Sequence, residues 1–459
     1  MDDRRNRLDT GDRQESTETV GAGQAETPGP GQLEGTTMSG QPGWIELAGQ
    51  RVRVGDVRTS PYRYGRQLAA ARATRSAVCL CRPQPLRLVT RCGLGGRHHL
   101  ACWPHEGPTH DQRCPFFHLE PSLSGRSGYT SSAIEETTDG ASIRFELPLV
   151  GRISGTESNA PAESAEPGRR RRAVGLLGTL HYVWETAGLT SWPGGAGVVS
   201  RTWSTVAARL GDALGSCLIN GQRADEAVFV VPPYRPSTGE DEVARFDRFV
   251  DALRADQARP RHGLLIGEIK TIHATAHGVS YQLAHQTRAR QLFASNAINT
   301  KLHDAYPAAM GAAGQNAGGR RIGVFYLQRS RGGYATVVDA AVMLTNAAYI
   351  PADSSYEVTM ADALQAAGRA FIKPVTYDPG CGAVFPDFVL TDEPQAYVEV
   401  WGLPGRRDYE QRKAAKRAYY QRHARRLLEW TVTEPLPPLP PAPAPAAHQH
   451  AHARTHTAQ

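Results

Sequence analysis

At 459 residues, with 40% hydrophobic side chains and a mean hydropathy of −0.43, the chain is long enough for two or three domains with cores of their own. No apolar run reaches about eighteen uninterrupted residues, which argues against a membrane span, and the charged N-terminus MDDRRNRLDTGDRQE has no apolar segment behind it to act as a secretory signal. The formal charge of +7 suits a polyanionic partner, and it is carried almost wholly by arginine: of 52 Lys+Arg only Lys270, Lys301, Lys373, Lys413 and Lys416 are lysines.

In chain order, residues 1–42 are rich in Gly, Thr, Glu and Gln and read as a disordered leader. Residues 43–150 carry most of the cysteines. The expected compartment is the cytoplasm, where seven cysteines are more readily thiols or metal ligands than disulfides. A Cys-x-Cys pair at Cys79 and Cys81 can grip one metal from a tight knuckle. His110 and Cys114, spaced as on one helical turn, can complete a closed tetrahedral set for structural zinc. Cys92, His98, His99 and Cys102 are competing ligands, and a cluster of reduced, buried thiols is the plainer alternative.

Residues 151–172 form a low-complexity linker that ends in the run Arg169–Arg172. Residues 173–345 read as a mixed α/β domain. In VGLLGTLHYVWETAGL, Leu176, Leu177, Leu180, Val183 and Trp184 recur at helical spacing, and SRTWSTVAARLGDAL offers a second helix with Ser200 as N-cap. EAVFVVPPY reads as a strand. This order, following an arginine run, fits a winged-helix subdomain or, more plainly, a helical subdomain without that role.

Residues 346–433 read as α-β-β-β-α-β. The leading helix is SSYEVTMADALQAAGR, with Ser354 or Ser355 as N-cap and Gly368 as its stop. AFIKPVTY, AVFPDFVL and AYVEVWG are the strands, RRDYEQRKAAKRAYYQRHARRLLEW is a long basic helix, and WTVTE is a last short strand. The proline-rich and then histidine-rich segment 434–459 cannot build a core. Its His448, His450 and His452 read as solvated.

Asp387 and Glu399 are planted inside two of these apolar strands, equidistant from Glu393 in TDEPQ. In a hairpin so centred their Cβ atoms lie about 4.5–5.5 Å apart on one face. Two carboxylates this close, among apolar neighbours, repel unless one keeps a proton or a hard divalent cation such as Mg²⁺ or Mn²⁺ lies between them. The alternative places Asp387 on a solvent-facing edge, where Pro386 is tolerated, and pairs Glu399 with an arginine. Tyr409, Lys413, Lys416 and Tyr420 share one helical face. Arg406, Arg407, Arg412 and Arg417 of the same helix, with Tyr409, are candidates for phosphate-backbone contact without base reading.

Pro386-Asp387 on the second strand and Glu399 on the third, within α-β-β-β-α-β, resemble the PD-(D/E)XK, or restriction-endonuclease-like, nuclease superfamily. The resemblance implies that Asp387 and Glu399 hold Mg²⁺ or Mn²⁺ and that Glu357 on the leading helix is an additional acidic residue of the site. It also implies a lysine two positions after the Glu. Trp401 stands there instead, and some members supply the lysine from the following helix, where Lys413 is the first candidate and Lys416 the second. LLIGEIKTI contains a literal E-x-K at Glu268 and Lys270 but lacks a Pro-Asp partner strand. More broadly, CLC, LACWP, HDQRC, YIPADSSYE, PDFVL, EVWG and YEQRKAAKRAYY make residues 75–420 similar to a bacterial family known as domain of unknown function 1173, which implies no assigned activity. The expectation is a metal-dependent phosphodiesterase acting on nucleic acid, DNA foremost, without an organic cofactor. A non-catalytic nucleic-acid-binding protein on a degenerate nuclease fold is the alternative.

Overall fold

The computed structural model describes residues 40–93, 96–150, 170–195, 200–235, 239–254, 260–286, 290–378, 385–402, 405 and 407–443. The expected leader up to residue 39, most of the 151–172 linker, Arg406 and the tail histidines lie outside the described residues. Eleven α-helices and four sheets make the described part mixed α/β. It falls in one compact unit, Ser39–Gln459.

The N-terminal sheet has the order β2-β1-β3-β4-β5, with β1 Trp44–Leu47, β2 Gln50–Arg53, β3 Val78–Cys79, β4 Leu86–Cys92 and β5 His98–Cys102. Strand alternation turns Ile45 and Leu47 of β1 inward. The helices α1 (Val54–Thr59) and α2 (Gly65–Thr74) cover them with Val54, Val57, Leu68 and Ala71. Cys79, Cys81 and Cys114 are buried in that same core.

The middle of the chain begins with β6 (Ile134–Glu136) and β7 (Ala141–Ile143). Helix α3 (Leu176–Thr186) is buried on nearly all sides, as expected of a helix apolar around most of its circumference. The short β8 (Ser191–Trp192) follows, then α4 (Trp203–Leu214), with Thr202 rather than Ser200 at the N-cap position and no side-chain capping hydrogen bond. β9 (Cys217–Ile219) runs parallel to β7, and β10 (Gln222–Arg223) closes that four-stranded sheet. Next come α5 (Ala224–Ala227), β11 (Val228–Val230) and α6 (Gly239–Ala252).

The largest sheet uses β12 (His262–Thr275), β13 (Gly278–Leu283) and β14 (Leu292–Ala294). After α7 (Asn296–Ala305), α8 (Pro307–Met310) and α9 (Ala312–Asn316) come β15 (Arg320–Arg329), β16 (Ala335–Thr345) and β17 (Pro351–Ala352). Its pairings close on themselves: β12 with β13, β13 with β14, β14 with β16, β16 with β15, and β15 back to β12. Register shifts at Ile269/Thr271 and Tyr326/Leu327 let the strands curl, and closure leaves few open edges.

The C-terminal sheet is ordered β21-β20-β19-β18-β8. Helix α10 (Ser355–Ala366) starts at the N-cap Ser354, whose hydroxyl accepts from the Glu357 amide, and the chain turns at Gly368 with φ of +69°. β18 (Phe371–Ile372), β19 (Phe388–Leu390) and β20 (Ala396–Trp401) run antiparallel in succession; α11 (Arg407–Arg422) then crosses to β21 (Arg426–Thr431), parallel to β20. Met360, Ala361 and Leu364 of α10 pack with Phe371, Phe388 and Val398, while Tyr420 of α11 packs with Ile372, Val389 and Tyr397. The sheet therefore lies between the two helices.

Two boundaries differ from the sequence expectation. The basic helix, expected to run to Trp430, ends at Arg422: Ala424 takes a left-handed φ of +49°, and the apolar LLEW segment becomes β21. After β21, Leu436 and Leu439 pack on the C-terminal core, and the Pro440 carbonyl accepts from Arg369 Nη1 at 3.3 Å. Among the described residues no helix is long and apolar enough to cross a membrane.

Candidate functional site

Cys79 ends β3, Cys81 follows it, and His110 and Cys114 come from a loop that returns to the same core. The expected helical turn is absent: consecutive tight turns, with the Cys114 amide on the Asp111 carbonyl at 2.8 Å, bring His110 and Cys114 together. All four ligand atoms lie within 4.8 Å of one another and are buried. Cys79 Sγ is 3.5 Å from Cys114 Sγ, and His110 Nδ1 is 3.3 Å from Cys81 Sγ and 3.6 Å from Cys114 Sγ. The edges of a tetrahedron built on zinc bond lengths are about 3.8 Å between sulfurs and about 3.6 Å from sulfur to nitrogen, so the residues fit such an ion.

The Asp111 amide donates to Cys81 Sγ at 3.4 Å and the Phe116 amide to Cys114 Sγ at 3.5 Å, which favours thiolate character. Hydrogen bonds with Cys114 and Cys79 pull the Cys81 thiol down, while those with Cys79 and Cys81 push Cys114 up. Sulfurs this crowded do not all ionise unless a cation lies among them. The cluster can therefore hold a metal ion such as zinc. The competing Cys92, His98, His99 and Cys102 form no such group among the described residues.

The second site lies on the C-terminal sheet. One residue beyond the Phe388–Val398 pair, the register brings Asp387 opposite Glu399, on the face of Val389 and Tyr397 that α11 covers. The pairing loosens at that step. Asp387 Oδ2 accepts from the Val400 amide at 2.6 Å, so the carboxylate caps the strand end. Glu399 is 1% exposed. Both its oxygens accept from Lys416 Nζ, at 3.0 and 2.8 Å, and Oε1 also accepts from the Tyr420 hydroxyl. Lys416 Nζ donates further to the Phe385 carbonyl at 2.7 Å.

On the other flank, Glu357 of α10 takes its place through the Ser354 cap and accepts from the Asp353 amide at 3.0 Å. Lys373, just past β18 and 3% exposed, reaches Glu357 Oε2 at 2.9 Å and Asp353 Oδ2 at 2.7 Å. Burial pushes the Glu357 carboxyl up to about 8 against the pull of Lys373. Burial, then the Glu399 charge, pushes Asp387 up to about 6. Glu399 is raised by burial, with Lys416 opposing. Against its own burial, Asp353 is held down by Lys373. Three of these carboxylates bond to Lys373 or Lys416 and Asp387 lies beside them, so carboxylates outnumber the bonded lysines by two, an imbalance that the raised Glu357 and Asp387 ease by holding protons.

Of the two helix lysines, Lys416 reaches Glu399. Lys413 is buried with its Nζ 5.1 Å from the Trp401 ring centre, and Trp401 also lies under Lys416 and Arg417. The Tyr409 hydroxyl accepts from the Gly402 amide at 2.7 Å. Arg417 is spent on Glu429 at 2.9 Å, whereas Arg407 and Arg412 are exposed. The E-x-K at Glu268 is engaged elsewhere: Glu268 accepts from Arg320 and from the Tyr349 hydroxyl, both at 3.0 Å. Sequence reasoning missed Lys373 and Asp353 as members of the site. The scarcity of lysine was the available signal, since three of the chain's five lysines gather here.

Fold and sites together define a mixed α/β protein with a buried Cys/His cluster able to hold a metal ion such as zinc and a carboxylate–lysine site on its C-terminal sheet. The chain belongs to the family described as "Protein of unknown function (DUF1173)", whose family model matches residues 57–433. No curated protein and no solved structure matches it.

Proposed function

We propose that the C-terminal sheet carries a Mg²⁺- or Mn²⁺-dependent phosphodiesterase site of the PD-(D/E)XK kind acting on DNA, and that the Cys/His cluster carries structural zinc. The observation that carries the first part is convergence: Glu357 from α10, Asp387 ahead of β19, Glu399 from β20 and Lys416 from α11 share one electrostatic neighbourhood. The succession α10, β18, β19, β20, α11, β21 is the order expected of that superfamily.

The donor set suits a hard cation, because Asp387 and Glu399 are oxygen ligands in a region where carboxylates outnumber lysines. A divalent ion held there would lower the pKa of a bound water and polarise a phosphoryl oxygen. Asp387 and Glu399 hold the cation's place. Lys416, delivered from α11 to where Trp401 leaves no ammonium on the strand, balances charge that develops on the phosphoryl group. Arg407 and Arg412 hold the backbone without reading bases. One observation favours the non-catalytic alternative: both Glu399 oxygens already accept from Lys416.

Incubation with plasmid or single-stranded DNA and Mn²⁺ separates the two. Cleavage is expected, and it is expected to vanish in Asp387→Ala and Glu399→Ala. Cleavage that survives either substitution excludes this site. Binding without cleavage in any divalent metal establishes the alternative.

A further inference from the structure

A cavity of about 850 Å³ lies where the N-terminal sheet meets α4 and the loops around β6, and its lining includes none of the carboxylates or lysines of the C-terminal site and none of the four Cys/His ligands. That volume is in the range of small-molecule sites. Its charge is lopsided: six arginines line it against three carboxylates. Two of the carboxylates are spent, Asp212 on Arg97 and Glu136 on Arg126 at 3.0 Å. The third, Glu185, accepts from the Tyr377 hydroxyl at 2.7 Å.

What remains is cationic. Among the described residues, Arg58 of α1, Arg91 of β4 and Arg209 of α4 have no carboxylate within ion-pair distance; Arg91 is buried, Arg209 half-buried, and Arg58 exposed with its guanidinium 5.5 Å from the Phe116 ring centre. Each is steadied by one backbone carbonyl: Pro115 at 3.2 Å, Thr137 at 3.0 Å and Gly188 at 3.4 Å. A guanidinium has five N–H groups in a rigid fork, so a single carbonyl leaves most of its donors unanswered. Arg91 is 7% exposed and its Nε is buried without a partner among the described residues, as is Nδ1 of His99 in the same lining. Burial pulls the Arg209 guanidinium below its ordinary value, as for a cation short of counter-charge. Buried cations and orphaned donors cost free energy unless an anion answers them.

We infer that this cavity is a binding site for a phosphate-bearing small molecule of about mononucleotide size, gripped by Arg58, Arg91 and Arg209. Phosphate oxygens match the planar donor forks of arginines approaching from three different elements. Trp103 in the lining offers flat surface for a ring. A nucleic-acid strand fits less well, because the unpartnered Nε of Arg91 is a buried donor that a single small ligand reaches more readily than a polymer backbone. The site is independent of the proposed phosphodiesterase centre.

Titration calorimetry of the full, zinc-loaded chain with ADP, in buffer free of Mg²⁺ and Mn²⁺, tests it. ADP is expected to bind saturably, and adenosine at least about tenfold more weakly. Arg209→Gln and Arg91→Gln should each weaken ADP by about 10- to 100-fold, as for a lost charge-assisted hydrogen bond, with bound zinc unchanged. Should Arg91→Gln fail to fold, the more accessible Arg209→Gln and Arg58→Gln decide the matter. No binding of ADP, equal affinity for adenosine, or affinity indifferent to the arginine substitutions overturns the inference. So does a single-stranded oligonucleotide that needs Arg209 where ADP gives no binding, since a strand would then be the occupant.

Discussion

The Cys/His cluster and the carboxylate site are both buried groups of potential metal ligands, yet they are balanced differently. Cys79, Cys81, His110 and Cys114 face one another, and among the described residues no lysine or arginine ion-pairs or hydrogen-bonds with their ligand atoms. The carboxylates are interleaved with Lys373 and Lys416. On the reading proposed above, the first arrangement depends on a metal for its stability, whereas the second is already partly neutralised by the protein and needs a metal only for chemistry. Cys114→Ser tests the strong half of the contrast. Metal binding of this kind is worth on the order of 10 kcal/mol to a small domain. The substitution should therefore release zinc, measured by elemental analysis, and melt the core around Ile45, Leu47 and Leu68. A wild-type protein isolated without zinc, and indifferent to chelators, would break the comparison.

The other half rests on the lysines. Lys373→Met should cost about 3–5 kcal/mol at pH 10, above the value of about 8 to which burial raises Glu357, because there it strands Glu357 as a buried charge without a partner. The loss should be smaller at pH 5, where Glu357 takes up a proton instead. Chemical denaturation at the two pH values reads the difference directly. Equal costs at both would mean that Lys373 matters for packing, not for charge balance, and the contrast between the two sites would lose its basis.

The two sites also differed in how far the sequence revealed them. The Cys/His set rests on two short spacings, and short spacings constrain geometry even though tandem turns, not a helix, join His110 to Cys114. Asp387 and Glu399 were legible because an antiparallel hairpin fixes its register from the turn. Lys373 was not, because its partners lie earlier in the chain, across the α10 N-terminus, and nothing local to AFIKPV points there. The same holds for β8, whose Ser191 and Trp192 join β18 from the middle of the chain. Arg369 was hidden in the same way: Asp392 and Glu393 of the hairpin loop clamp its buried guanidinium at 2.9–3.0 Å. The end of α11 was misjudged because Leu427, Leu428 and Trp430 suit a helix as well as a strand, until a left-handed Ala424 decides it.

The smallest effect is a pH dependence confined to the carboxylate site. Asp387, raised to about 6, binds a proton in the folded chain over a range where the unfolded chain has already released it. Because stability rises with pH only where the unfolded state holds more protons, this group's contribution is full below the ordinary carboxylate range and is lost as pH climbs through about 6. Histidines such as His118 and His181, pulled to about 4 by burial, act in the opposite sense, so a bare stability profile would blur the signal. The difference between wild type and Asp387→Asn removes them. Metal-free Asp387→Asn should gain on wild type by about 1–2 kcal/mol between pH 5 and pH 8, read by denaturant midpoints. Mn²⁺ should reverse the gain, because only wild type then recovers the carboxylate as a ligand. A difference that stays flat with pH would mean that Asp387 is solvated and unstrained, and the carboxylate surplus that invites a cation would go with it.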